Sequence, residues 1–185
     1  MAGSLIVLNG VSSAGKTTLA HAIQTISGDV WLHVALDSFI AMLPDQREIE
    51  QDWFPVVNVK VDGKTLPRIS TGHSGGLLLG EMRGFARGLV ASGLNVVVDD
   101  VCEAAEIADY RRISGSKPIL LVCVTAPTNE LEQREDARGD RLHGLAREQN
   151  SRLHKGIEYD LIVDTSILDP IDAANRILEA LPVRN

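Results

Sequence analysis

Short apolar runs alternate along the chain with longer segments whose apolar residues recur at helical spacing. The apolar runs, which are typical of buried strands, cover residues 5–8, 30–36, 94–101, 118–124 and 159–163. The helical spacing covers residues 16–26, 72–92, 103–114, 128–135, 142–155 and 170–181. Strands that alternate with helices build parallel sheets with helices on both faces. The pattern therefore predicts an α/β fold of three layers, with a five-stranded, mostly parallel sheet in the middle.

Residues 45–70 interrupt this alternation. Valines alternate with polar residues over 56–61, and the Asp-Gly pair at 62–63 is a hairpin turn signal. No linker or repeat appears elsewhere, so we expect residues 1–185 to form a single domain. The 45–70 segment is then an insertion that carries a hairpin and serves as a lid or as a pocket wall. Trp53 and Phe54 either line that pocket or cover the core.

The longest predicted helix, residues 72–92, has a glycine at every fourth position: Gly80, Gly84 and Gly88. One interpretation is that this helix packs closely on the sheet or on a neighbouring helix. The alternative is a helix–helix contact between subunits, which would make the protein a homo-oligomer.

Composition excludes several classes of partner. The formal net charge of −7 argues against a nucleic-acid-binding surface, which is usually basic. No apolar run approaches the roughly 18 residues of a membrane span, and no leader precedes the first strand, so we expect a cytoplasmic protein. Cys102 and Cys123 are predicted to be buried, reduced thiols. The five histidines lack metal-ligand spacing, so no structural zinc is expected.

A phosphate-binding loop (P-loop) follows the first apolar run. The pattern G-x-x-x-x-G-K-[ST] is matched by Gly10, Val11, Ser12, Ser13, Ala14, Gly15, Lys16 and Thr17, and Thr18 comes next. We expect both glycines to permit backbone angles that turn amide groups toward an anion. The start of the following helix adds its positive dipole end. Lys16 is predicted to bind the β- and γ-phosphates of a nucleotide, and Thr17 to bind Mg²⁺.

Acidic residues follow two of the predicted strands. Asp99 and Asp100 end a valine-rich strand, where an acid can hold Mg²⁺ directly or through water. Because successive strand residues point to opposite faces, we expect only one of them to do so. Asp37 ends the second strand, at the edge where α/β sheets bind ligands. Alternatively, Asp37 or Ser38 only caps the next helix.

Three arginines fall within residues 134–141: Arg134, Arg138 and Arg141. Their planar guanidinium groups suit polyphosphate oxygens and the charge on a transferring phosphoryl group. Gly139 interrupts the helical pattern and would let such an arginine-rich lid bend. The alternative is a solvated helix face with internal salt bridges.

Together these parts predict an enzyme that transfers a phosphoryl group from ATP, with Mg²⁺, to a hydroxyl group. Asp37 is the best candidate to orient or deprotonate that hydroxyl. The guanine-specificity pattern N-K-x-D is absent, which argues against a GTPase switch. The alternatives are a kinase for another metabolite or nucleotide, and a nucleotide-binding regulatory module without an acceptor.

Several segments resemble chloramphenicol phosphotransferase and its relatives. They are LNGVSSAGKT, LDSFIAMLP, VVVDDV, ARGDR and HKGIEYDLIVDTS, in this order. The resemblance implies a P-loop kinase fold and antibiotic inactivation by transfer of the ATP γ-phosphate to a primary hydroxyl of chloramphenicol. It also implies that residues 10–17 hold the nucleotide, that Asp37 is the general base, and that Arg138 and Arg141 are lid groups near the phosphates. The resemblance is poorest at residues 45–70, where contacts to the acceptor would be expected. Another small hydroxylated compound is therefore an alternative acceptor.

Overall fold

The computed structural model describes residues 3–114, 119–139 and 142–182, without the side chains of residues 112–114. In chain order the strands are β1 (Leu5–Asn9), β2 (Trp31–Ala35), β3 (Val56–Val61), β4 (Lys64–Ile69), β5 (Asn95–Asp100), β6 (Ile119–Thr125) and β7 (Leu161–Asp164). The helices are α1 (Lys16–Ile26), α2 (Leu36–Ile40), α3 (His73–Ala91), α4 (Ala104–Ser114), α5 (Thr128–Arg138), α6 (Leu145–Asn150) and α7 (Pro170–Glu179). Among these helices, none has the length and apolar character that crossing a membrane would require.

The main sheet confirms the predicted α/β architecture. It has five strands in the order β2-β5-β1-β6-β7, and each neighbouring pair is parallel. The register aligns Asn9 with Asp100 and Ala35 with Asp99. The carboxyl ends of β1, β2 and β5 therefore meet at one edge, and ligands bind at that edge in open parallel sheets.

Helices cover both faces of the sheet because its strands are apolar on both sides. Along β1, Ile6 and Leu8 enter a core with residues of α1, α5 and α7. Leu5 and Val7 enter a second core with residues of α3 and α4. This alternation follows from the two-residue period of a strand, and it produces the three predicted layers.

The hairpin lies where the valine alternation and the Asp-Gly pair predict it. β3 and β4 form a separate antiparallel pair. Asp62 and Gly63 at the turn have positive φ angles of 49° and 76°, as tight hairpin turns with a matching twist require.

The glycine stripe of α3 does not have the packing role first expected. A Cβ atom at Gly80, Gly84 or Gly88 would meet no atom within 4 Å apart from the nearby backbone of α3 itself. The interpretation of close packing against the sheet or a neighbouring helix is therefore wrong for the described part of the chain. The glycines lie on an open side of the helix.

Two predicted helices differ in their ends. α5 runs three residues beyond the predicted Glu135 and ends at Arg138, where Gly139 has a φ of 67°. Its N-cap residue is Pro127, and the Thr128 hydroxyl accepts a hydrogen bond from Asn150.

The helix predicted over residues 142–155 is shorter than expected. α6 begins only at Leu145, because Gly144 before it has a left-handed φ of 84°. The Glu135 carboxylate accepts from the backbone amides of Gly144 and Ala146 and so fixes this start. Beyond Asn150 the backbone continues in turns.

Candidate functional site

The segment between β1 and α1 has the backbone of an anion-binding loop. Ser13 and Gly15 have φ angles of 61° and 91°. Gly15 is the N-cap of α1, and no side chain caps the first-turn amides. These amides, which include those of Lys16, Thr17 and Thr18, are suited to an anion. The positive φ at Gly15 was expected from the sequence, whereas that at Ser13 is uncommon for a residue with a side chain.

Gly10 serves a different purpose from the one predicted. Its φ is not positive. A Cβ atom on Gly10 would lie 2.3 Å from the carbonyl oxygen of Val124 on β6. Glycine is therefore required here because the loop crosses very close to the neighbouring strand.

Lys16, Thr17 and Asp99 come together where the loop meets β5. The Thr17 hydroxyl donates to Asp99 Oδ2 at 2.6 Å, and Lys16 Nζ lies 3.7 Å from Asp99 Oδ1. The Lys16 ammonium also donates to the carbonyl oxygens of Gly10 and Val11, at 2.9 and 3.0 Å. A hydroxyl and a carboxylate oxygen are ligands that suit Mg²⁺, so this group fits the predicted metal site.

Asp99 and Asp100 lie on opposite faces of β5, and only Asp99 faces the P-loop. Asp100 is fully buried on the other face. Its Oδ2 accepts from Arg83 Nε at 3.2 Å, from the Tyr110 hydroxyl at 3.0 Å and from the Cys102 thiol at 2.9 Å. Asp100 is thus held in a buried polar cluster and is not placed to serve a metal at the P-loop.

Arg134 reaches the P-loop through Thr165. Its two terminal nitrogens donate to the Thr165 side-chain and backbone oxygens, at 2.9 and 3.0 Å. The Thr165 hydroxyl in turn donates to the Ala14 carbonyl oxygen at 2.9 Å. These contacts hold the loop after β7 against the P-loop, and the predicted binding of the nucleotide by Arg134 stays a prediction.

Three other residues were predicted for the site: Asp37, Arg138 and Arg141. Asp37 lies in the first turn of α2 with an exposed side chain, two residues beyond the end of β2. Arg138 is exposed at the end of α5. Arg141 lies outside the described residues.

A cleft of about 360 Å³ lies beside the P-loop, between α2, the hairpin, α4 and α6. Leu36 and Ile40 of α2 line it, and so does Gln149 of α6. Gln149 Oε1 accepts from the backbone amide of Ser12 at 2.6 Å. Gln149 therefore links the cleft to the P-loop. Asp37 is in the same helical turn as Leu36 but is not among the lining residues.

A network of charged side chains forms one wall of this cleft. The Glu148 carboxylate has no exposed surface and accepts from Arg68 Nε at 2.5 Å and from Arg152 Nε at 2.8 Å. Arg152 also pairs with Glu103, whose amide donates to the Glu106 carboxylate. Burial, and then the nearby Arg68, lower the pKa of Arg152. These ion pairs link the hairpin to α6 and to the residues at the start of α4.

Sequence patterns missed several of these residues. Gln149 and Glu148 contact partners 137 and 80 positions away, so no local signal exists for them. Asn9 is more recognisable, because it is a polar residue at the buried end of β1, and it bonds the backbone of Cys102 in both directions. His33 Nε2 lies 3.8 Å from Asp99 Oδ2, and burial lowers the pKa of His33 more than Asp99 raises it.

Comparison with known proteins shows the family of this chain. The family model described as chloramphenicol phosphotransferase-like protein matches residues 3–182. A Mycobacterium tuberculosis protein named as a candidate O-phosphotransferase is 31% identical, over 96% of this chain and 82% of its own.

Solved structures share the fold at low sequence identity. The M. tuberculosis APS kinase in complex with AMPPNP and APS aligns with a TM-score of 0.67 at 15% identity, over 97% of both chains. A gluconokinase from Sinorhizobium meliloti 1021 aligns with a TM-score of 0.61 at 17% identity, over 96% of this chain and 90% of its own. The fold is that of the P-loop kinases.

Proposed function

This chain belongs to the chloramphenicol phosphotransferase-like family, and we propose that it transfers the γ-phosphoryl group of ATP, with Mg²⁺, to a hydroxyl group of a small molecule. Family and fold establish a phosphotransferase with a hydroxyl acceptor. The donor nucleotide, the metal, the roles of single residues and the acceptor are our proposals.

The hydrogen bond from Thr17 to Asp99 carries the proposal. It joins the last residue of the P-loop to the carboxyl tip of β5, with the Lys16 ammonium beside it. Thr17 and Asp99 would hold Mg²⁺, which supplies charge neutralisation at the phosphate oxygens. The first-turn amides of α1 would bind phosphate oxygens, and Lys16 would turn from the loop carbonyl groups to the β- and γ-phosphates.

Asp37 is proposed as the general base. The acceptor oxygen forms a bond to the γ-phosphorus as the bond from that phosphorus to the bridging oxygen breaks. The electron pair leaves with ADP, and the hydroxyl proton passes to the Asp37 carboxylate. Asp37 lies two residues beyond β2, and β2 pairs with β5, the strand that carries Asp99 near its carboxyl end. This position supports the role.

Two segments are proposed to close over the substrates within a single domain. The hairpin insertion at 45–70 forms part of the cleft wall and would cover the acceptor. The arginine-rich segment 134–141 would bring Arg138 and Arg141 to the transferring phosphoryl group, where their charge stabilises the developing negative charge. Gly139, which follows α5 with a left-handed backbone, would let this segment bend.

Chloramphenicol is the first acceptor to test because of the family resemblance. A different hydroxylated metabolite is the second candidate. The charged side chains that line the cleft favour this second candidate, because a polyhydroxylated acceptor can form hydrogen bonds with them and a mostly apolar acceptor cannot.

The test measures ADP release by the purified protein with Mg²⁺, ATP and a panel of hydroxylated acceptors that includes chloramphenicol, sugars and nucleoside monophosphates. Asp37→Asn should keep ATP binding and lose about 10²- to 10⁴-fold in acceptor-dependent turnover. Asp29→Asn, an exposed acid beyond α1, is the matched control. Unchanged turnover of Asp37→Asn would refute the role of Asp37. ATP binding without any acceptor-stimulated ADP release would indicate a regulatory module instead.

A further inference from the structure

The cleft beside the P-loop has two chemically different walls. Its apolar wall includes Leu36, Ile40, Phe54 and Leu79. Its charged and amide side chains, here called the charged wall, are those of Arg68, Glu103, Glu106, Gln149 and Arg152. A ligand that fills the cleft must satisfy both walls.

The charged wall presents hydrogen-bond donors in a fixed position. Arg68 Nε is held by Glu148, a carboxylate with no exposed surface, while about a third of the Arg68 side chain (36%) is exposed. Among the residues that the structure describes, the two terminal nitrogens of Arg68 have no hydrogen-bond partner. A guanidinium group fixed at one nitrogen has less freedom to lose when the other two bind a ligand.

The same wall presents acceptors next to these donors. The Glu103 side chain is 55% exposed although it pairs with Arg152. An ionised carboxylate offers about four lone-pair sites, so Glu103 and Glu106 keep sites for further hydrogen bonds. The guanidinium groups are those of Arg68 and Arg152. The carboxylates beside them are those of Glu103, Glu106 and Glu148. The wall therefore has no excess positive charge that would attract an anion.

A hydroxyl group is the ligand group that matches adjacent donors and acceptors, because it accepts from a guanidinium and donates to a carboxylate. The apolar wall suits the C–H surface of a saturated ring. Groups that are desolvated without a partner weaken binding, so sites built to bond a hydroxyl discriminate strongly against analogues that lack it.

We infer that the acceptor is an uncharged polyhydroxylated compound, such as a sugar or cyclitol. Its additional hydroxyl groups bond Arg68, Glu103 and Glu106, while its C–H face packs on the apolar wall. This inference rests on the proposed phosphotransferase function and names the acceptor class for the same site.

The experiment compares initial rates of ADP release, with product identification by mass spectrometry, across three acceptor classes. The classes are uncharged hexoses and cyclitols, anionic hydroxy acids, and aromatic alcohols with an apolar ring. We expect the highest kcat/KM in the first class, and a loss of at least about 10²-fold for deoxy analogues of the best acceptor.

Arg68→Met should then raise the KM for that acceptor about ten- to a hundredfold, with the KM for ATP unchanged, and Arg68→Lys should restore part of the loss. Arg147→Met is the matched control, because Arg147 pairs with Glu132 and does not line the cleft. A preferred acceptor from the anionic or aromatic class would overturn the inference and leave the proposed function standing. An equal effect of the Arg68 and Arg147 variants would also overturn it. If no acceptor in any class is phosphorylated, both the inference and the proposed function fail.

Discussion

Thr17 and Asp99, 82 residues apart in sequence, are joined by a hydrogen bond of 2.6 Å between the Thr17 hydroxyl and Asp99 Oδ2. The contact is possible because β1 and β5 are parallel neighbours whose carboxyl ends lie at the same edge. A metal ion between the P-loop and β5 could bind both the Thr17 hydroxyl and the Asp99 carboxylate. Asp100, one residue further, is turned to the opposite core.

Asp99→Asn and Asp100→Asn are therefore expected to have different consequences. Asp99→Asn removes a proposed metal-binding oxygen, so the Mg²⁺ concentration for half-maximal activity should rise about ten- to a hundredfold. Asp100→Asn removes the partner of Arg83 inside the protein and should lower the free energy of unfolding while leaving the Mg²⁺ requirement unchanged. Titration of activity with Mg²⁺, together with urea unfolding of both variants, checks this. Equal Mg²⁺ requirements in the two variants would exclude Asp99 as the metal-binding acid.

Local sequence patterns were sufficient for this part of the site because each piece has its own signal. The P-loop motif places Thr17 at the start of a helix, and the valines before Asp99 place it at a strand tip. The two-residue period of a strand predicts that only one of two consecutive acids can face the loop, but it cannot say which one. That choice depends on which sheet face α1 covers, and packing of the whole chain decides it.

The cleft could not be predicted in the same way. Gln149 meets Ser12, and Glu148 meets Arg68, only because α6 lies between the P-loop and the hairpin. No periodicity encodes a contact between elements that are so far apart in the chain. The glycines of α3 illustrate the opposite error, since their regular spacing implied close packing where the structure has open space.

The buried cluster around Asp100 makes Arg83 important for stability. Arg83 has 6% of its surface exposed and bonds a carboxylate with none. Arg83→Met would leave that carboxylate without its cation, which typically costs about 3–5 kcal/mol. Urea unfolding followed by circular dichroism measures the loss. Arg87→Met on the exposed side of the same helix should stay within about 0.5 kcal/mol of the parent, and a similar loss in both variants would contradict the prediction.

His154 should make the protein less stable at mildly acidic pH. Burial, and then the nearby Lys16, lower the pKa of His154 below its ordinary value of 6.5. Its Nδ1 bonds the Tyr159 hydroxyl at 2.7 Å, and its Nε2 is buried without a partner among the described residues. Below pH 6.5 His154 is therefore protonated to a greater extent in the unfolded chain than in the folded protein. Stability from this group is present at pH 7 and is lost as the pH falls.

Unfolding free energies measured from pH 7.5 to 5 test this contribution, because His154→Gln should show a shallower decrease than the parent protein over about pH 5–6.5. Since the carboxylates titrate in both proteins, the difference between them isolates His154. His73→Gln, at an exposed position on α3, is the matched control. A pH dependence that is identical in the parent and in His154→Gln would contradict the assignment.

The two cysteines are expected to be unreactive in the folded protein. Burial, and then the Asp100 carboxylate, raise the pKa of Cys102 well above its ordinary value, and burial raises the pKa of Cys123 to about 11. At pH 8 both thiols are therefore protonated almost completely, and the thiolate is the reactive form. A disulfide reagent such as 5,5′-dithiobis(2-nitrobenzoic acid) should label neither cysteine at pH 8 on the time scale on which it labels both in denaturant. Rapid labelling of one equivalent of thiol in protein with an intact circular dichroism spectrum would show that one of these environments is open to solvent. Cys123→Ser would then identify which one.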